Sequence, residues 1–331
     1  MRVVVFGAGA WGSAIARHAA LRHEVLIWAR DPELADAIAR EHRNARYLPG
    51  QFLGAGLLAT ADLAQACTFA GTDGLFLVAT PMAALRNVLE QIRVHAAAVP
   101  TPLFWLCKGL ELPSGLLAHE LATPLLGARP AGVLSGPSFA QEVAAGLPFA
   151  LVAASPAEVA RERMVAALHH EAGRIYVSED LIGVELAGAL KNVIAIAAGA
   201  CDGLGLGLNA RAALLTRGLA EITRLGVLLG ANPSTFLGLA GLGDLILTCT
   251  GDLSRNRRVG LGLAQGHSLE GILATLGHVA EGVGTTAAVY RLAARHSVEM
   301  PIVAAVHSVL FDRVPVRTAV STLLAREPGP E

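Results

Sequence analysis

A lysine in the middle of an apolar stretch is the residue best suited to acid–base chemistry. Lys191 lies within Leu181–Ala200, whose spacing predicts a helix, and its neighbours one turn away include Gly188 and Ala195. Small neighbours leave room for another group to approach. Desolvation lowers the pKa of a lysine toward neutrality, where it can exchange protons. Lys191 could instead pack its stem on the helix and extend its ammonium group to water.

A second cluster combines an aspartate with three arginines and an asparagine. Asp244 precedes the apolar segment Leu245–Leu247, and Ser254-Arg255-Asn256-Arg257-Arg258 follows it. The planar guanidinium of an arginine matches a phosphate through two parallel hydrogen bonds. The cluster therefore suits a phosphate site. A solvated basic helix start, with Ser254 as its N-cap, would have the same sequence.

A glycine-rich turn at the N-terminus is the third chemical feature. Gly7, Gly9 and Gly12 follow an apolar run, Arg2–Phe6, and precede the helical pattern Ser13–Leu21. In a strand–turn–helix unit, these glycines allow a tight turn, close approach to a pyrophosphate and packing of helix on strand. The N-terminus of the helix then favours the negative phosphates. The sequence therefore predicts a dinucleotide site, although an ordinary tight turn would also use glycine.

Further polar residues follow other predicted strands of the first half. Thr80 and Lys108 each come directly after an apolar run, and Gly136 and Ser138 follow another. Strands alternate with helices as far as Ser178, which predicts a parallel, doubly wound sheet. Ligands of such a sheet bind outside the carboxyl ends of its strands, so these residues should face one crevice. The predicted strands are Arg2–Phe6, Glu24–Trp28, Leu57–Thr60, Gly74–Ala79, Pro102–Cys107, Gly132–Leu134, Phe149–Ala153 and Arg174–Val177.

From Glu179 onward the apolar residues recur at helical spacing, and no strand pattern stands out. The predicted helices are Leu181–Ala200, Ala210–Leu229, Pro233–Gly238, Ser254–Gly266, Ser268–Leu276, Thr285–His296, Ile302–Phe311 and Val316–Ala325. Glycine clusters at Gly241–Gly243 and Gly282–Gly284 should interrupt them, which leaves Glu281 in a loop. The fold class is therefore α/β, with a Rossmann-type doubly wound parallel sheet (1–178) followed by an all-α C-terminal domain (179–331).

Composition narrows the class of protein. The 331 residues carry a formal net charge of −1, which argues against nucleic-acid binding through a basic surface. The four cysteines are scattered, as expected for reduced thiols of a cytoplasmic protein, and no histidine spacing suggests a metal.

Leu181–Ala200 is apolar enough to suggest a membrane span, but Glu185 and Lys191 inside it argue against one. The short N-terminal apolar run is broken by glycines, so no signal peptide is expected.

Eight motifs in one order resemble the bacterial NAD(P)-dependent sn-glycerol-3-phosphate dehydrogenases, and they span nearly the whole chain. The motifs are Gly7–Gly12, Trp28–Asp31, Asn44–Gly50, Cys107–Glu111, Ser135–Ala140, Glu185–Val193, Gly241–Cys249 and Ser254–Arg257. The resemblance implies a two-domain enzyme that reduces dihydroxyacetone phosphate reversibly to sn-glycerol 3-phosphate for phospholipid synthesis, with NADP(H) or NAD(H) as cofactor.

The resemblance also implies a role for individual residues. Lys191 matches the acid–base lysine, and Arg255 is the residue expected to bind the substrate phosphate. The implied substrate-binding residues are Lys108, Gly136, Ser138, Lys191, Asp244, Ser254, Arg255 and Asn256. The implied cofactor-binding residues are Gly7, Gly9, Ala10, Trp11, Gly12, Arg30, Lys108, Ala140, Arg255, Val279 and Glu281.

Two positions depart from the family pattern. Ala10 stands where serine is common, which removes one hydroxyl contact near the pyrophosphate, and Gly284 stands where arginine is frequent. Cofactor choice is ambiguous because Arg30 and Asp31 are adjacent at the end of the second strand. An acidic residue there suits the ribose of NAD, whereas an arginine suits the phosphate of NADP. We favour NADP(H), through Arg30.

Two other functions share parts of this sequence pattern. A related two-domain hydroxy-acid dehydrogenase would have the same two halves but a carboxylate substrate. A non-catalytic NAD(P)-sensing protein would keep the glycine turn but would not need Lys191 beside a basic cluster. Helices such as Ala210–Leu229 are apolar enough to form a homodimer, and burial within one subunit would explain them equally well.

Overall fold

The computed structural model describes residues 1–96, 100–112, 114–276 and 280–326. The chain divides into two compact units. The first comprises Met1–Lys108 and Leu117–Val184, and the second comprises Gly109–Leu116 and the chain from Glu185 onward.

The first unit contains one eight-stranded sheet. Its strands are β1 (Arg2–Phe6), β2 (Glu24–Trp28), β3 (Leu57–Thr60), β4 (Leu75–Val78), β5 (Leu103–Trp105), β6 (Ala131–Ser135), β7 (Phe149–Ala154) and β8 (Gly173–Ser178). Its helices are α1 (Ala10–Ala19), α2 (Pro32–Glu41), α3 (Leu63–Phe69), α4 (Met82–His95), α5 (Ala118–Leu126), α6 (Ala140–Ala144) and α7 (Glu158–Leu168). All eight predicted strands are present, within two residues at either end.

The strand order is β3-β2-β1-β4-β5-β6-β7-β8. The order reverses between β1 and β4, and the first six strands follow the arrangement typical of dinucleotide-binding sheets. The four residues of β4 and the last four of β1 are completely buried. Continuous apolar runs of this kind belong to central strands that are covered on both faces. The predicted α/β class and doubly wound topology are confirmed.

One strand pair differs from the all-parallel prediction. β6 and β7 pair antiparallel, with Val133 opposite Ala154 and Ser135 opposite Val152. The connection between them contains only the five-residue helix α6. A helix of that length advances about 7 Å, less than half the length of a five-residue strand. It cannot return the chain to the start of the sheet, so β7 runs back along β6.

The described residues of the second unit form helices and their connections, and no strand. Its helices are α8 (Leu181–Gly203, from the end of the first unit), α9 (Gly207–Leu228), α10 (Pro233–Phe236), α11 (Asp244–Thr250), α12 (Arg255–Ala264), α13 (Leu269–Leu276), α14 (Glu281–Arg295), α15 (Pro301–Phe311) and α16 (Val316–Leu324). A π-helical turn, Leu239–Gly243, leads directly into α11. The all-α prediction is confirmed for the described part of this unit.

Helix α8 forms the centre of the second unit. Its length and hydropathy would suit a membrane span, but 83% of its most apolar window is buried inside the protein. It crosses α12 at very short distance. A Cβ atom at Gly199 would lie 1.9 Å from the carbonyl oxygen of Arg257, and one at Gly260 would lie 1.8 Å from that of Ile196. Glycine at both positions therefore allows the two backbones to touch.

Two predicted interruptions are wrong. Gly282–Gly284 lies inside α14, which begins at Glu281, so Glu281 belongs to the first helical turn and not to a loop. Gly241–Gly243 lies in the π-helical turn before α11. The apolar segment Leu245–Leu247 lies within helix α11, which its sequence pattern does not predict.

Candidate functional site

Two glycines of the turn between β1 and α1 have no room for a side chain. Gly7 has φ of +116°, which favours glycine, and a Cβ atom there would lie 3.0 Å from the backbone of Ala79. A Cβ atom at Gly12 would lie 1.9 Å from the carbonyl oxygen of Gly7. Both glycines are therefore required by the protein's own packing.

Gly9 has a different environment. It is the N-cap of α1, and a Cβ atom at this position would meet no atom within 4 Å. Nearby, the hydroxyl of Thr80 is buried without a hydrogen-bond partner among the described residues, and the Thr80 side chain lies beside Gly7. The glycine turn, the N-terminus of α1 and a buried hydroxyl fit the pyrophosphate of a dinucleotide.

Three other residues of the first unit lie together at the same edge of the sheet. Nζ of half-buried Lys108, just after β5, donates to the carbonyl oxygen of Gly136, at 3.2 Å. The hydroxyl of Ser138 donates to the same oxygen, at 3.1 Å. Gly136 has φ of +136°, and a Cβ atom there would approach the backbone of Leu151 to 3.2 Å. Lys108, Gly136 and Ser138 therefore lie together, and the crevice that they are predicted to face stays a prediction.

The remaining predicted residues of the first unit lie at element ends. Ala10 and Trp11 begin α1, and Ala140 begins α6, which packs against α1. Arg30 is exposed and comes two residues after β2. All are at or near the carboxyl edge of the sheet, where its ligands bind.

In the second unit, Lys191 is buried and forms an ion pair. Its ammonium group donates to the carboxylate of Asp244 and, at 2.8 Å, to the hydroxyl of Thr248. Only 6% of Lys191 and 1% of Asp244 are exposed. The ammonium group is therefore held in one orientation and does not extend to bulk water. Of the two interpretations of Lys191, the structure supports the desolvated one.

The local backbone explains how Asp244 reaches this lysine. Asp244 and Thr248 are four residues apart on α11, so both face Lys191 from one side of a helix. The π-helical turn before α11 packs on the end of α10, where a Cβ atom at Gly241 would lie 2.1 Å from the carbonyl oxygen of Phe236.

Burial raises the pKa of the neighbouring Cys249 thiol to about 12, so this cysteine is not a nucleophile.

A second buried hydrogen-bond network begins at Asn192, the residue after Lys191. The side-chain amide of Asn256, in α12, donates to the side-chain oxygen of Asn192 at 2.9 Å. The side-chain oxygen of Asn256 accepts the backbone N–H of Gly282 at 3.0 Å. A Cβ atom at Gly282 would lie 2.7 Å from this oxygen. The close α8–α12 crossing and Gly282 together place the start of α12 beside Lys191-Asn192.

The start of α12 carries the other predicted residues. The hydroxyl of Ser254 accepts the backbone N–H of Arg257 as the predicted N-cap. Arg255 is the first residue of the helix. Desolvation lowers the pKa of the Arg255 guanidinium, and the nearby carboxylate of Glu281 acts in the opposite direction. Arg257, in contrast, binds Asp202 and Asp252. Val279, predicted to contact the cofactor, lies outside the described residues.

Thr248 and Asn192 are two polar residues of these networks that sequence analysis did not select. Both fall inside motifs that carry the family resemblance, beside residues that were selected. The i, i+4 spacing of Asp244 and Thr248 would have identified Thr248 if α11 had been predicted. The adjacency of Asn192 to Lys191 gives no such signal, because neighbours in a helix point in different directions.

Comparison with known proteins identifies relatives over the full length. The family described as NAD-dependent glycerol-3-phosphate dehydrogenase matches residues 2–161 by its N-terminal model and 180–321 by its C-terminal model. The chain is 57% identical over 328 residues to a glycerol-3-phosphate dehydrogenase (NAD(P)+) of Janthinobacterium sp. (strain Marseille), covering 99% of this chain and 98% of the relative.

A relative of the same name from Paucimonas lemoignei is 57% identical over 333 residues, covering 100% of this chain and 98% of the relative. Among solved structures, a glycerol-3-phosphate dehydrogenase of Coxiella burnetii matches with a TM-score of 0.93 and 40% identity, covering 98% of this chain and 99% of that one.

Proposed function

Because the chain belongs to the NAD-dependent glycerol-3-phosphate dehydrogenase family, we propose a role for each residue of the two clusters in the reaction of that family. The protein is an NAD(P)-dependent oxidoreductase that interconverts dihydroxyacetone phosphate and sn-glycerol 3-phosphate. The hydroxy-acid dehydrogenase and the cofactor sensor, which the sequence left open, are therefore set aside.

Lys191 supplies the proton. NAD(P)H, once bound, would supply the hydride for C2 of the ketone. Negative charge then develops on the carbonyl oxygen, where an ammonium group stabilises it and donates a proton. Lys191 accepts the alcohol proton in the reverse direction. The observation that carries this proposal is the burial of the Lys191 ammonium group against Asp244 and Thr248.

Asp244 and Thr248 orient the amine. Each accepts a hydrogen bond from Nζ, which fixes the direction of the lysine side chain. A nearby carboxylate favours the charged form of a lysine and opposes the effect of desolvation. The carboxylate and the hydroxyl thus hold the buried amine in one orientation.

Arg255 binds the phosphate of the substrate. It stands in the first turn of α12, where backbone N–H groups and the helix dipole also favour an anion. Ser254 and Asn256 flank it, and both are buried residues that hold the start of α12 in place. Arg257 is engaged by two aspartates, so it does not serve this purpose. The other proposed substrate-binding residues are Lys108, Gly136 and Ser138.

The glycine turn binds the pyrophosphate of the cofactor. Gly7, Gly9 and Gly12 shape the turn, and Ala10 and Trp11 present backbone N–H groups at the start of α1. Ala140, Glu281 and Lys108 complete the proposed cofactor contacts among the described residues. Arg30, exposed at the end of β2, would favour NADPH over NADH. Comparison of kcat/KM for the two cofactors tests this preference, and a higher value for NADH would refute it.

The proposed phosphate contact is tested by Arg255→Ala. We expect KM for dihydroxyacetone phosphate to rise roughly ten- to a hundredfold, with kcat less affected, because a hydrogen bond to a charged group contributes about 1.5–3 kcal/mol. Exposed Arg258, on the same helix, gives the matched control Arg258→Ala, which should leave KM unchanged. An unchanged KM in Arg255→Ala would mean that another residue, such as Lys108, holds the phosphate.

We also propose that the enzyme is cytoplasmic and homodimeric. Cys67, Cys201 and Cys249 are buried thiols that form no disulfide, which suits a reducing compartment. Helix α9 exposes Leu208, Val227 and Leu228, whose apolar side chains would pack in a dimer. Light scattering of the purified protein would distinguish a dimer from a monomer.

A further inference from the structure

The residues after β2 decide which cofactor a dinucleotide-binding sheet accepts. In this fold the adenosine ribose lies at the end of the second strand, where a carboxylate binds the 2′-hydroxyl of NAD and an arginine accommodates the 2′-phosphate of NADP. Here β2 ends at Trp28 and is followed by Ala29, Arg30 and Asp31. Given the NADPH preference proposed above, the contacts of these residues explain how this chain would produce it.

Both carboxylate oxygens of Asp31 are already engaged within the protein. Oδ1 accepts the backbone N–H of Glu33 at 3.0 Å and caps the N-terminus of α2. Oδ2 accepts a hydrogen bond from Nη1 of Arg46 at 3.1 Å. The acidic group that would select NAD by binding its ribose is therefore paired with a cation.

Arg46 is held in this place by the glycine turn. The buried side chain of Asn44 donates to the carbonyl oxygen of Ala8 and to the hydroxyl of Ser13, both at 2.8 Å. The side-chain oxygen of Asn44 accepts the backbone N–H of Tyr47 at 3.1 Å. The guanidinium of Arg46 also lies over the ring of Tyr47, 5.1 Å from its centroid. These contacts fix the segment between the pyrophosphate turn and the end of β2.

The ion pair contributes little to stability. The Arg46 and Asp31 side chains are 61% and 42% exposed, and exposed pairs of this kind typically contribute between zero and about 1 kcal/mol. Its effect on an incoming charge is larger, because an unpaired carboxylate at the end of β2 would repel a phosphate. A function in recognition therefore accounts for the arrangement better than a function in folding.

We propose that Arg46 is a specificity-determining residue for the cofactor. It binds the 2′-phosphate of NADPH together with Arg30, and it neutralises Asp31, which would otherwise favour NADH. Two guanidinium groups that approach from different segments give a phosphate more donors than either arginine alone. Asn44 is a positioning residue that holds Arg46 beside the strand end.

The test compares Arg46→Gln with a matched arginine from the same segment. Arg43 packs its guanidinium over Phe52, 5.7 Å from the ring centroid, so Arg43→Gln removes a nearby charge without touching Asp31. The dissociation constants of NADPH and NADH are measured by quenching of protein fluorescence, and kcat/KM is measured for each cofactor. We expect Arg46→Gln to lower the NADPH/NADH preference at least tenfold with an unchanged melting temperature, and Arg43→Gln to leave the preference unchanged.

A second substitution tests the neutralisation of Asp31. Asn is as good an N-cap as Asp, so Asp31→Asn removes the charge and keeps α2 capped. In the Arg46→Gln background it should restore part of the NADPH affinity. Absence of any recovery would refute the neutralising role, and an unaltered preference in Arg46→Gln would refute the role of Arg46 altogether. A wild-type enzyme that binds NADH more tightly would instead refute the proposed NADPH preference.

Discussion

The two units of this protein build their sites in different ways. In the first unit the candidate site consists of loops at strand ends, and much of its chemistry belongs to backbone groups of the glycine turn. In the second unit the candidate site consists of side chains on helices, and Lys191, Asp244 and Asn256 are all less than 9% exposed. The first site depends mainly on the conformation of the backbone, and the second depends mainly on the orientation of buried side chains.

This difference shows where each site is sensitive to change. A backbone site tolerates most side chains that point away from the ligand, but it fails where a Cβ atom has no room. A side-chain site depends on the distance between helices, because buried ion pairs and amide networks must stay satisfied. Glycine is therefore critical in both units, for the turn in one and for helix contact in the other.

The sharpest test within the first unit compares two glycines of the same turn. In Gly12→Ala the new Cβ atom would lie 1.9 Å from the carbonyl oxygen of Gly7, so the turn must shift. We expect the free energy of unfolding to fall by about 3 kcal/mol. In Gly9→Ala the Cβ atom meets nothing within 4 Å, and its φ of −73° suits alanine.

Gly9→Ala should therefore fold normally, with stability changed by less than about 0.5 kcal/mol. Its dissociation constant for NADPH should rise about tenfold or more, because the methyl group occupies the space through which a pyrophosphate approaches the backbone. Thermal unfolding and cofactor titration separate the two effects. Equal stability of both variants would contradict the packing assigned to Gly12.

A parallel comparison in the second unit uses two glycines of α14. Alanine normally stabilises a helix interior by up to about 1 kcal/mol relative to glycine. In Gly282→Ala the Cβ atom would lie 2.7 Å from the backbone of Asn192 and from the side-chain oxygen of Asn256. We expect a net loss of about 1–2 kcal/mol and a lower kcat/KM, because α14 must move away from the amide network.

Gly284→Ala is the matched control. Its Cβ atom would meet only the tip of the exposed Leu112 side chain, which can rotate away. This variant should be as stable as the wild type or slightly more stable, with unchanged kinetics. If thermal unfolding gave the same result for both variants, the network around Asn256 would not constrain α14.

The smallest predicted effect concerns how the free energy of unfolding changes as the pH falls: a residue of the first unit lowers it and a residue of the second unit raises it. In the first unit, burial and the stacked ring of His18 lower the pKa of His170 to about 4. Between this value and the ordinary pKa near 6.5, the unfolded chain binds more protons, so stability falls as the pH falls through that window. In the second unit, burial raises the pKa of Glu221 to about 7. Between pH 4.5 and 7 the native state binds more protons, so stability rises as the pH falls.

Variants at the two residues separate these contributions. Glu221 accepts the backbone N–H of Ile302 at Oε1 and that of Val303 at Oε2, at the start of α15, and Gln at position 221 keeps one oxygen that can accept the first of these. Between pH 7.5 and 5, His170→Asn should reduce the loss of stability, whereas Glu221→Gln should increase it, each by about 1 kcal/mol after allowance for solvent screening. Urea unfolding at both pH values measures this, with His296→Asn on the exposed surface as the control. The same pH dependence in all three variants would contradict the assignment.

The sequence predicted the first unit better than the second, for a physical reason. Strands β1 and β2 and the glycine turn follow from local patterns, namely the apolar runs and the glycine spacing, which the structure explains by buried strands and by the φ of Gly7. The shared position of Lys108 and Gly136 at one edge of the sheet follows from the parallel direction of the strands that precede them. The antiparallel direction of β7 was not predicted. The residue pattern of a strand does not encode its direction, which here depends on the short length of α6 in the connection from β6.

In the second unit, long-range contacts override the local signals. Gly282 and Gly284 look like a helix break, yet packing against Asn192 and Asn256 favours glycine inside α14. The partners of Lys191 come from a helix more than fifty positions away, as the pairing with Asp244 shows. No local pattern encodes such a contact, and the resemblance to a family assigned Asp244 and Lys191 to substrate binding without predicting that they pair.

The central claim, that the Lys191 amine exchanges the proton with the substrate, is tested most directly by Lys191→Arg and Lys191→Ala. Arginine can keep the charge beside Asp244 but does not release protons near neutral pH, whereas alanine removes both. With saturating dihydroxyacetone phosphate and NADPH, we predict that kcat falls about a hundredfold or more in each variant, while the dissociation constant of NADPH stays within about twofold, because no proposed cofactor contact has changed. A kcat near that of the wild type in either variant would contradict the account.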